Sequence, residues 1–122
     1  MCLYVSNKRN RKKGKKDIIC YKVLNTKHGD LLSIFKHFKW TLGVEETAEK
    51  ACDIWDDEIR DGYFHTYDNY FNAVKESLFP GLGVFECIIP KGTYYYKGKH
   101  SDSYEGYASK KLIVVKQLEK KY

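Results

Sequence analysis

The chain predicts a single α+β domain over residues 1–122, with an antiparallel or mixed sheet of about five strands and two to three helices. Three observations carry that expectation. Residues 84 to 98, VFECIIPKGTYYYKG, alternate as a strand, turn, and resume as an extended segment. Residues 31–38, 44–59 and 71–78 place apolar side chains at helical intervals. Finally, 122 residues with 43% hydrophobic and 16% aromatic side chains are enough for one core but not two.

In chain order, Leu3-Tyr4-Val5 is a short β-type run and Asp17 to Leu24 (DIICYKVL) a stronger one. Between them, residues 7–16 form a basic exposed segment with turn-compatible Asn10 and Gly14. It is either the long loop of a hairpin or a frayed arm, and both keep its charge in water, because desolvating several like charges together is very costly. Leu31, Leu32, Phe35 and Phe38 suggest a short helix that ends by Gly43. Val44, Ala48, Ala51, Trp55 and Ile59 recur at intervals of 4, 3, 4 and 4, which predicts an amphipathic helix of about four turns with acids on its other faces. Gly62 to Tyr67 (GYFHTY) is extended, and Asp68 is placed to cap a helix bearing Phe71, Val74 and Leu78. Pro80-Gly81 stops that helix.

The strand that follows sets Phe85, Cys87 and Ile89 on one face and Val84, Glu86 and Ile88 on the other. Pro90 cannot donate to a ladder and Gly92 permits positive φ, so the chain turns there before Tyr94 to Lys97. A polar loop to Gly106 and a last strand, Lys111 to Leu118, complete the order.

The formal charge of +6 is unevenly placed. Seven of the 22 Lys and Arg (Lys8, Arg9, Arg11, Lys12, Lys13, Lys15, Lys16) fall in residues 1–16 without an acid, leaving 15 against all 16 acids in the other 106 residues. Seven cations within nine residues suit phosphate contacts, and Tyr94, Tyr95 and Tyr96, taken as surface aromatics, would offer rings for base stacking. Solubility, or docking on an acidic protein, would explain the same charges. Residues 44–61 hold eight acids against Lys50 and Arg60, which describes a solvated helix face.

His65 and Thr66 lie at a strand end before a helix, where an imidazole could contact a ligand or simply orient a turn. His28, His37 and His100 have no metal-binding spacing, and Cys2, Cys20, Cys52 and Cys87 form no CxxC pair, so no metal is expected. Cys20 and Cys87 suit buried, reduced positions. Walker, Rossmann and GxSxG patterns are lacking. Without an apolar leader or a run near 18 residues, no membrane is expected and the compartment is expected to be cytoplasmic.

The segments IICYKVL, GYFHTY, ECIIPKGTYYYKG and YASKKLIV, in this order, resemble an uncharacterised set of small proteins of gut bacteria and their phages, a likeness that brings no activity with it. More distantly, a strand, GYFHT before a helix and a strand ending in Ile-Pro-Lys-Gly are similar to the ADP-ribosyltransferase fold. That resemblance implies an NAD site with Tyr21 or Lys22 on the first strand, Thr66 bracing it, His65 beside it and Glu105 as the late acid. The first strand lacks the family's Arg or His, and the second acid or Gln two residues before Glu105 is missing. Binding is therefore expected over catalysis: a small non-enzymatic accessory protein of phage or mobile-element type, contacting nucleic acid or another polyanion without a cofactor. An ADP-ribosyltransferase-like enzyme or degenerate nucleotide-binding relative, using NAD, and an inhibitor docking on a host protein are the alternatives.

Overall fold

The strand whose apolar alternation is strongest in the sequence is paired along both of its edges. In the computed structural model, which describes residues 3–4, 12–27, 29–33, 39–48, 54–55, 58–59, 63–100 and 104–120, it spans Leu82–Ile89. The described residues otherwise form β1 (Leu3–Tyr4), β2 (Lys12–Lys13), β3 (Ile18–Asn25), β4 (Leu31–Ser33), β5 (Lys39–Trp40), β6 (Glu45–Thr47), β7 (Ile54–Trp55), β8 (Glu58–Ile59) and β9 (Phe64–Tyr67). Then come α1 (Tyr70–Glu76), the Leu82–Ile89 strand as β10, β11 (Tyr94–His100), β12 (Glu105–Ser109) and β13 (Lys111–Leu118).

This corrects the expected α+β class. The described residues form a mostly antiparallel β-sheet of thirteen strand segments with one short helix, not about five strands with two to three helices. The sheet order is β6-β13-β10-β3-β9-β12-β11-β1-β8-β7, with β2 added to β11 and the β4–β5 pair added to β3. The helix expected over 31–38 is replaced by β4 and β5, paired through Leu31 and Trp40; residues 34–38 lie outside the described set. Folding back in this way buries Trp40, whose indole Nε1 donates to Ser33 Oγ at 2.8 Å and whose ring meets Phe64 edge-on at 4.7 Å. The acidic helix expected over 44–59 is likewise absent from the described residues, where β6, β7 and β8 take its place. β6 covers the free edge of β13, with Ala48 in the core and Glu45 4.0 Å from Lys111. An edge strand can be charged, so the acids do not require a helix to stay wet.

β10 pairs with β3 along its whole length and with β13 on its other edge. Phe85, Cys87 and Ile89 enter a core with Cys20, Leu24, Trp40, Phe64, Leu112 and Val114. Val84, from the opposite face, joins Val23, Tyr67 and the α1 residues Ala73 and Val74. The helix is capped by Asn69, one residue later than the expected Asp68, its Oδ1 accepting from Phe71 N at 2.8 Å and Asn72 N at 3.3 Å. No helix among the described residues is long and apolar enough to cross a membrane.

Candidate polyanion-binding face

β3 pairs with β9 at one position only, Tyr21 opposite Tyr67. Beyond it, Leu24 and Asn25 turn to β4, so the two strands diverge. Lys22 stands in that fork on the core side of β3, and its Nζ donates to the His65 carbonyl at 2.7 Å. Burial lowers its pKa from 10.5 to about 8, with Cys87 and Cys20 acting in the opposite direction. Cys20 and Cys87 face each other across β3 and β10 as free, buried thiols. Burial pushes Cys20 up to about 12, against a lowering contribution from the Thr66 hydroxyl and Lys22, which leaves it a poor nucleophile.

The residues singled out by the enzyme resemblance occupy neighbouring strands, but strand alternation divides them. Tyr21 lies opposite Tyr67 and shares its side with His65. Thr66 lies opposite Tyr107 and shares its side with Glu105. His65 and Tyr67 pack on His100, with ring centroids 5.8 and 5.1 Å apart, and His100 Nε2 donates to the Thr66 carbonyl at 2.6 Å. Gly106 makes room for that imidazole, since a Cβ there would collide with His100 Nε2 and the Thr66 oxygen. No single recess gathers the imidazole, hydroxyl, phenol and carboxylate. Among the described residues, no cluster of His, Cys, Asp and Glu could hold a metal ion.

The basic segment takes a course that the sequence did not reveal. It is not the long loop of a hairpin between β1 and β3, since β1 pairs instead with β11 and β8. Lys12 and Lys13 form β2, opposite Tyr95 and Tyr94 of β11. Gly14 N donates to the Thr93 carbonyl at 3.0 Å, Gly92 N donates to the Gly14 carbonyl at 2.9 Å, and Asp17 Oδ1 accepts from Lys91 N at 2.8 Å. The segment is thus fastened along the turn between β10 and β11, while Lys12, Lys13, Lys15 and Lys16 remain exposed. Lys13 Nζ lies 5.6 Å from the Tyr94 ring centroid. Lys8, Arg9 and Arg11 lie outside the described residues.

No family model, curated protein or solved structure matches the chain.

Strand alternation sorts the tyrosines. Tyr94 is exposed and Tyr95 half-buried, but Tyr96, expected at the surface, is only 4% exposed. Its correction follows from alternation: Tyr96 faces the same side as Gly98 and His100, and meets the Tyr63 ring at 5.6 Å. The opposite side of β11 carries Tyr95, Lys97 and Lys99, and β12 adds Tyr107 opposite Lys97. Lys97 Nζ lies 5.8 Å from the Tyr107 centroid, and Tyr95 meets Tyr107 at 5.8 Å with planes 72° apart. Burial raises the Tyr107 pKa, and Asp68 adds to that, so its hydroxyl stays protonated at neutral pH. Lys97, Lys99 and Tyr107 were not singled out from sequence. The signal was present in YYYKGKH, where Tyr95, Lys97 and Lys99 recur every second residue.

Proposed function

We propose that this chain is a small non-enzymatic accessory protein that contacts nucleic acid or another polyanion through the segment Lys12 to Lys16. One observation supports the reading most directly: the segment is zipped onto the tyrosine strand by β2–β11 pairing while its four lysines stay exposed. Their positive potential is held in a fixed place, so less ordering entropy is lost when an anion binds. No acid among the described residues approaches these four closely enough to form an ion pair.

The test is a mobility-shift titration of the full chain with nucleic acid at several salt concentrations. Affinity is expected to fall steeply with salt, in proportion to the phosphates neutralised. Replacing Lys12, Lys13, Lys15 and Lys16 with Ala is expected to weaken binding by more than about tenfold and to flatten the salt dependence. Binding that ignores both salt and the four substitutions would refute the proposal.

A further inference from the structure

We propose that the side of β2, β11 and β12 bearing Lys12, Tyr95, Lys97, Lys99 and Tyr107 binds single-stranded nucleic acid, with bases stacked on the two tyrosines and phosphates held by the three lysines. This inference rests on the polyanion reading and supplies its ligand class.

The register builds the face row by row. Lys12 is opposite Tyr95, Lys97 opposite Tyr107, and Lys99 opposite Glu105. Side chains two residues apart on a strand are separated by about 7 Å. The rows therefore offer anchors at intervals that an extended single strand can follow with its backbone along β11. The cations are exposed and the rings half-buried. Tyr107 packs against the main core and holds Tyr95 edge-on, so both rings are oriented before a ligand arrives. A base can meet such a ring only if it is unpaired and free of its own stack. The Lys97 ammonium near Tyr107 adds cation attraction at the same spot. Glu105, opposite Lys99 in the third row, would weaken that lysine's hold on a phosphate and marks where the platform ends.

A duplex presents phosphates but keeps its base faces stacked, and would use the lysines alone. An acidic protein would do the same. The rings between the cations are what favour a single strand.

The experiment uses the full chain and fluorescence anisotropy with a labelled oligothymidylate of about 12 nucleotides, a duplex of equal length, and heparin as competitor. The single strand is expected to bind at least about tenfold more tightly than the duplex. Tyr95→Leu and Tyr107→Leu, which keep apolar bulk, are each expected to weaken the single strand by about 5- to 100-fold, leaving duplex and heparin binding and the salt slope unchanged. Tyr95→Phe and Tyr107→Phe should bind as the parent chain does. In the unsubstituted chain, tyrosine fluorescence should be quenched by the oligothymidylate and not by heparin, a readout that needs no variant to fold. Equal affinity for single strand and duplex, unaltered binding by folded Leu variants, or absence of quenching would overturn this inference while leaving the polyanion proposal in place. Failure of all three polyanions to bind would remove both.

Discussion

At Lys22 a cation is held where the fold gives it one strong acceptor, the His65 carbonyl, and little water. Its pKa, lowered from 10.5 to about 8, means that the charged form is disfavoured more in the folded chain than in the unfolded one. Between those two values the unfolded chain binds more protons at this site, so the Lys22 contribution to stability rises with pH across the window 8 to 10.5. Below pH 8 the penalty is fully present. Urea midpoints of the parent chain and Lys22→Met, followed from about pH 7 upward, provide the check. The difference is expected to shift in favour of the parent as pH rises, and a difference independent of pH would contradict a depressed lysine. Nothing in IICYKVL marks Lys22 as unusual, because the fork between β3 and β9 depends on a strand more than forty residues away.

Among the elements, α1 is short enough for its cap to matter. Only Ala73 and Val74 are buried from its seven residues, and Asn69 Oδ1 satisfies two of its first amides. Asn69→Ala is expected to destabilise the chain by about 1 kcal/mol, within the usual range for such caps, as measured by urea unfolding. Asp68→Ala should cost less, which would separate the observed cap from the one the sequence suggested. This helix was legible because Phe71, Val74 and Leu78 lie between an Asx cap and Pro80-Gly81. β10 was legible because four of the six residues 84–89 are β-branched or aromatic and the six divide consistently between two faces. The segments 31–38 and 44–59 misled for one reason: widely spaced apolar residues can satisfy a helical period without a helix, as Trp55 in β7 and Ile59 in β8 do. Trp40 and Ala48 are buried by β13, β9 and β10, and those partners are invisible to a local window. The basic segment was legible in its charge and not in its place, since its partner strand is the tyrosine run itself.

Across the whole molecule, the pairings join distant parts of the chain: β3 with β10, β9 with β12, β1 and β2 with β11. Closing such loops comes before their contacts can repay the entropy, so refolding is expected in milliseconds to seconds and not microseconds. Stopped-flow fluorescence offers a direct measurement, since Trp40 is buried against Phe64 in the native core. Completion within microseconds would contradict the long-range pattern.

The attachment of β2 has a further consequence for a chain emerging from the ribosome. Lys12 to Lys16 are synthesised about eighty residues before the β11 positions that fasten them. Until translation reaches those tyrosines, the cluster travels as an untethered polycation beside ribosomal RNA, and the finished sheet is what withdraws it to a defined address.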